Sequence, residues 1–176
     1  MFIPGGSTQD EIMAIALTRM RLTGSEVVVD VGCGTGKVSL AMSKSARHVY
    51  AIDRREEAVS CAREKATEAG AENITFLRGE ATDLLPNLPR LDGAFIGGSR
   101  DLSRVLSLLA GIVNGPVVMN AVLITTLGEG IAAMKKYDMF REALHVQVAR
   151  THELGGSYLF RPIDPVYIIV GECRTC

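Results

Sequence analysis

The chain is 176 residues long, 47% hydrophobic and 22% charged, with a formal net charge of −1. That size suits one domain, residues 1–176, with a substantial core, and the balanced charge gives no general attraction to nucleic acid or a membrane surface. No apolar stretch has the length of a membrane span, and residues 1–6 lack the charged start and apolar core of a signal peptide.

Four cysteines complete the exclusions: Cys33 and Cys61 stand apart, and Cys173 and Cys176 form a single terminal C-x-x-C. They build neither a disulfide framework nor the four-ligand set of a structural zinc. The expectation is a cytoplasmic protein with no metal site and no nucleic-acid or membrane partner.

The first predicted element is a helix over residues 9–20, with Ile12, Ile15, Ala16 and Met20 on one face. Thr8 and Glu11 offer it a T-x-x-E capping box. Residues 26–31 are β-branched and nearly uninterrupted, the pattern of a strand covered on both faces of a parallel sheet. That run breaks into Gly32-Cys33-Gly34-Thr35-Gly36 and a helix over 37–46. Such glycines permit a tight turn and close approach of a ligand to the main chain, and the helix start directs N–H groups toward it.

A second strand, 48–52, ends at Asp53, whose carboxylate is placed to accept from both hydroxyls of a ribose. Then come a helix over 56–69 with Gly70 as its C-cap, strands over 73–77 and 91–96, a helix over 102–113, a strand over 116–122 and a helix over 125–137. The pattern then changes. Residues 143–150 alternate like a strand and 165–171 form another, with only a loop between, so this pair is expected to be antiparallel. The sum is an α/β fold: one doubly wound, Rossmann-like domain with a seven-stranded, mostly parallel sheet, an antiparallel C-terminal strand pair and an extra N-terminal helix.

Spacing decides among the nucleoside ligands such a fold takes. The dinucleotide pattern G-x-G-x-x-G counted from Gly32 and Gly34 puts Lys37 where the third glycine belongs, and Gly36-Lys37-Val38 fails the P-loop pattern. What remains is D-x-G-x-G-x-G from Asp30 to Gly36, with an acid seventeen residues further on at Asp53. It resembles the class I S-adenosylmethionine-dependent methyltransferases. That likeness implies cofactor contacts from the loop residues Gly32, Cys33, Gly34, Thr35 and Gly36, and from Asp53. It adds Glu80 and Ala81 beside the adenine, Gly97 beside the sulfonium, and Thr8 from the segment before the first helix.

Residues 94–99 carry no Asn/Asp-Pro-Pro-Tyr/Phe motif, which disfavours an amino-group acceptor, and Asp164-Pro165-Val166-Tyr167 enters a late strand instead. Together with residues 4–11, 29–36, 49–53 and 79–81, the segments Phe95-Ile96-Gly97-Gly98-Ser99, Asn120-Ala121-Val122 and Leu154-Gly155-Gly156 resemble the cobalt-precorrin C15-methyltransferase (decarboxylating) family of cobalamin biosynthesis. The resemblance implies methylation at C15 of cobalt-precorrin-6B with loss of the C12 acetate carboxyl, a tetrapyrrole partner and a homotetramer. For such a substrate the candidate catalytic residues are Ser99, Asn120, His152 and Arg100, with Arg150 and Arg161 as further carboxylate holders. The rival is another class I methyltransferase, acting on a tRNA base, a protein carboxylate or another small molecule.

Overall fold

The computed structural model describes residues 8–98 and 100–173. After α1 (Asp10–Met20), β1 (Val27–Val31) is buried along its whole length, as its Val-Val-Val-Asp-Val run demands. Then follow α2 (Lys37–Ser43), β2 (His48–Asp53), α3 (Glu56–Glu68), β3 (Ile74–Arg78), a four-residue α4 (Ala81–Leu84), β4 (Gly93–Ile96), α5 (Leu102–Ile112), β5 (Gly115–Ala121) and α6 (Ile124–Lys136). The chain ends with β6 (Phe140–Val146), β7 (Ala149–Leu154), β8 (Ser157–Pro162) and β9 (Val166–Cys173).

Seven strands form one sheet in the order β3-β2-β1-β4-β5-β9-β6. The first five are mutually parallel, and β9 runs antiparallel to both β5 and β6. Alternation along β1 splits the core. Val27, Val29 and Val31 join Leu102, Val105, Leu106 and Leu109 of α5 on one face, whereas Val28 meets Ile12, Ala16 and Met20 of α1 and Val38 and Met42 of α2 on the other. The expected doubly wound layers with their extra N-terminal helix are therefore present.

Three local expectations are corrected. The N-cap of α1 is Gln9 with no side-chain cap hydrogen bond, and the Glu11 carboxylate turns to Arg150 instead, so the Thr8–Glu11 capping box does not form. The predicted strand over 143–150 is two strands, β6 and β7. The expected loop after it is a second sheet, in which β7 pairs antiparallel with β8 from Ala149↔Pro162 to Leu154↔Ser157 around Gly155-Gly156. Both glycines have positive φ, 58° and 78°, which a two-residue hairpin turn of the primed type requires.

Because β6 and β5 are each antiparallel to β9, they run the same way, and the β7–β8 hairpin springs from the carboxyl edge of the sheet. α1 runs from that edge toward the other. Its Met20 lies against the start of β4 at Gly93, and its first turn lies beside Lys37, just past the glycine loop. No helix among the described residues is long and apolar enough to cross a membrane.

Candidate functional site

The strand order reverses at β1, with β2 on one side and β4 on the other, and a parallel sheet opens a ligand crevice at such a switch point. A cavity of ≈ 310 Å³ lies there. Two glycines of the loop are dictated by geometry. Gly32 has φ 77°, and a Cβ on it would stand 2.9 Å from the Gly98 nitrogen; Gly36 has φ 77°, and a Cβ on it would stand 2.8 Å from that of Ala62. The loop is thus pressed against the end of β4 at Gly32 and against α3 at Gly36, with no space for a side chain at either position.

Several of the loop's own N–H groups are spent inside the fold. Gly32 and Cys33 both donate to the Ile52 carbonyl, Gly36 donates to the Cys33 carbonyl, and Gly34 donates to Asp53 Oδ2 at 2.9 Å. The last bond locks the loop to the acid that closes β2. Cys33 is buried, and burial, reinforced by the Asp30 and Asp53 carboxylates, pushes its thiol far up, so it packs as a thiol rather than reacting.

Arg55 escaped the sequence reading. Its main-chain N–H and Nε each donate to Asp53 Oδ1 at 3.0 Å, and its Nη2 donates to Oδ2 at 3.0 Å. Burial pushes the Asp53 carboxyl up, but the hydrogen bonds from the Arg55 side chain, then from the Arg55 and Gly34 N–H groups, outweigh it and hold the pKa below the ordinary value. With the Gly34 bond, four donors meet a carboxylate that has about four acceptor positions. The two from the guanidinium, one per oxygen, are those a vicinal diol would replace. The signal was available: a cation two residues after the acid, at the N-cap of α3.

Asp30 also went unassigned. It is buried, accepts from the Ser39 hydroxyl through Oδ2, and leaves Oδ1 without a partner. Burial first, and then the Asp53 charge, raise its carboxyl to about 7. Its place in a run of valines was the available clue.

Most expected cofactor residues come together at the cavity: Thr8, the loop from Gly32 to Thr35, Asp53, Glu80, Ala81 and Gly97 all line it. Gly36 sets the loop's turn. Lys37, which argued against a dinucleotide, binds the Thr8 carbonyl and Asp10, each at 2.7 Å, and so pins the segment before α1 over the loop. Arg100 lines the cavity too, where Nε faces Glu80 at 3.8 Å and Asp101 at 4.0 Å. Ser99 lies outside the described residues.

The remaining candidates sit elsewhere. Asn120 is near the carboxyl end of β5 with Oδ1 buried and unpartnered. His152 is on β7 rather than in a loop, exposed, and on the same hairpin face as the directly opposed Arg150 and Arg161. Arg150 is held by both oxygens of Glu11, at 2.7 and 2.9 Å.

A doubly wound domain with a glycine loop at its switch point, a ribose-type acid on β2 and an antiparallel strand inserted beside β5 has the architecture of a Rossmann-like methyltransferase. A model of the precorrin methyltransferase domain matches residues 3–171, and the chain belongs to that family. It is 39% identical to a Methanosarcina mazei protein named a probable cobalt-precorrin-6B C(15)-methyltransferase (decarboxylating), over 98% of this chain and 97% of that one. Among solved structures it resembles a precorrin-8W decarboxylase of Methanobacterium thermoautotrophicum, with TM-score 0.91, 29% identity, and 94% of this chain and 91% of that one covered. It also resembles a precorrin-6Y C5,15-methyltransferase of Geobacter metallireducens, with TM-score 0.90, 27% identity, and 98% and 94% covered.

Proposed function

We propose that the protein methylates C15 of cobalt-precorrin-6B and releases the carboxyl of its C12 acetate as carbon dioxide, giving cobalt-precorrin-7, with S-adenosylmethionine as methyl donor. The observation that carries this reading is the switch-point crevice, glycine loop and Asp53 included, in a chain alike end to end to relatives of that name. The donor set fits a nucleoside: a glycine-rich cradle, an acid at the end of β2, and Glu80 with Ala81 just past the end of β3.

In this reading Asp53 holds the ribose, Glu80 and the Ala81 N–H hold the adenine, and Thr8, Gly32, Cys33, Gly34, Thr35, Gly36 and Gly97 enclose the rest. S-adenosylmethionine supplies a methyl group on a positively charged sulfur. Arg100 and Ser99 orient the macrocycle above Gly97, and the C15 carbon, an electron-rich enamine, attacks without a strong base. Alignment of the reacting atoms at about 3 to 3.5 Å is what the residues contribute. The unpartnered Asn120 Oδ1 takes a donor from the substrate. His152 relays the proton that replaces the departing carboxyl, and Arg150 and Arg161 on the same hairpin face attract the ring's carboxylates.

The assembly we propose is a homotetramer in the cytoplasm. Its support is the far face of the hairpin, where Tyr158 and Phe160 are each 73% exposed. The test of function is incubation with S-adenosylmethionine and cobalt-precorrin-6B, followed by mass. The expected product gains one methyl and loses one carbon dioxide; methyl gain alone refutes the coupled reaction. Thermal shift with S-adenosylhomocysteine against NAD tests the donor, and stabilisation by NAD alone refutes it.

A further inference from the structure

The exposed large hydrophobic side chains among the described residues fall in two groups: Val122, Leu123 and Ile124 from the end of β5 to the first residue of α6, and Leu154, Tyr158 and Phe160 on the hairpin. Both leave the sheet at its carboxyl edge, the edge of the glycine loop. The hairpin group sits on an element that extends away from the body. The first group does not: it is a step in the rim of the domain itself, with exposures of 60%, 63% and 66% in three successive residues. Isolated exposed apolar side chains are ordinary, but a contiguous run on the sheet edge that carries the ligand crevice marks a contact surface.

We infer that Val122, Leu123 and Ile124 form the apolar shelf on which one face of the tetrapyrrole ring lies during methyl transfer, which sets substrate affinity independently of cofactor binding. The inference rests on the function proposed above. Its geometry comes from the sheet. β5 is two strands from β1 through β4, and neighbouring strands lie about 4.8 Å apart, so the shelf stands roughly 10 Å to the side of the glycine loop. A macrocycle of that breadth spans the distance, with its reacting edge above Gly97 and its body over the shelf.

Polar groups are placed to match. Arg100 lies toward the loop, the buried and unpartnered Asn120 Oδ1 lies two residues before the shelf, and the cationic face of the hairpin rises from the same edge. An apolar ring with charged substituents at its rim suits an apolar floor with polar groups at its margins. A second copy of the chain would need no such arrangement around Gly97.

The test is the double variant Leu123→Ser with Ile124→Ser, both exposed, compared with the conservative Leu123→Met. In the serine variant KM for cobalt-precorrin-6B rises about tenfold or more while kcat changes less than about twofold, the pattern of binding lost equally from ground and transition states. The dissociation constant for S-adenosylhomocysteine and the mass in solution stay those of the parent, and Leu123→Met keeps the parent KM. An unchanged KM overturns the inference. So does a fall in oligomer mass at constant KM, which makes the shelf a contact between copies, and so does loss of S-adenosylhomocysteine binding, which makes it a structural support. A parent protein that binds S-adenosylhomocysteine but does not take up the macrocycle refutes the functional reading itself.

Discussion

At the residue scale, the glycine loop separates two roles of one residue type. Gly36 is in the left-handed region against Ala62, so Gly36→Ala adds both backbone strain and a clash, expected to cost about 2–4 kcal/mol by chemical denaturation. Gly128, inside α6 with open space around it and no positive φ, answers oppositely: Gly128→Ala is expected to stabilise by roughly 0.5–1 kcal/mol. Asp30 carries a pH signature. Its carboxyl is raised to about 7 in the fold, from an ordinary 3.8, so the folded state keeps a proton that the unfolded state has lost. Its contribution to stability therefore falls as pH rises from about 4 to 7, by up to about 4 kcal/mol at full ionisation. Asp30→Asn removes that slope, as denaturation midpoints between pH 4 and 8 will record, and an unchanged slope assigns the titration elsewhere.

At the element scale, the strands and helices from α1 to α6, apart from the four-residue α4, were legible because each carries its own pattern. The buried faces of β1 and β4 read as apolar runs, and α5 repeats Leu102, Val105, Leu106 and Leu109 at helical spacing. The β7–β8 hairpin was missed although Gly155-Gly156 between alternating segments signals one, because neither strand has a buried side to reveal it. An isolated two-stranded sheet is marginal, and Arg150 fastens this one to α1 through Glu11. Both side chains are about half exposed, at 55% and 41%, so the pair is screened and its effect stays local. Arg150→Gln is accordingly expected to speed amide hydrogen exchange in β7 and β8 by a few-fold and to leave the melting temperature of the domain unchanged; equal loosening of the seven-stranded sheet contradicts it.

At the scale of the whole molecule, the carboxyl edge gathers the cofactor crevice, the shelf after β5 and the hairpin. The hairpin has two unlike faces: Arg150, His152 and Arg161 on one, Tyr158 and Phe160 on the other. Replacing both aromatics, as Tyr158→Ser with Phe160→Ser, is expected to lower the mass measured by light scattering from that of the proposed tetramer to a smaller species while S-adenosylhomocysteine still binds. Unchanged mass removes the aromatic face from the assembly.

What the sequence by itself determined is the part that local chemistry dictates: the alternation of the main strands and helices as far as α6, α4 excepted, the glycine loop and Asp53, and the family to which the chain belongs. A buried strand must be apolar, and a left-handed turn against backbone must be glycine, so these requirements are written at the positions that meet them. Only the tertiary structure decided that Arg55 fills the Asp53 carboxylate, that burial raises Asp30, that Glu11 serves Arg150 rather than a helix cap, and that the exposed hydrophobics share one edge. Each depends on distances between elements, and a residue's type leaves its partner unspecified until the chain has folded around it.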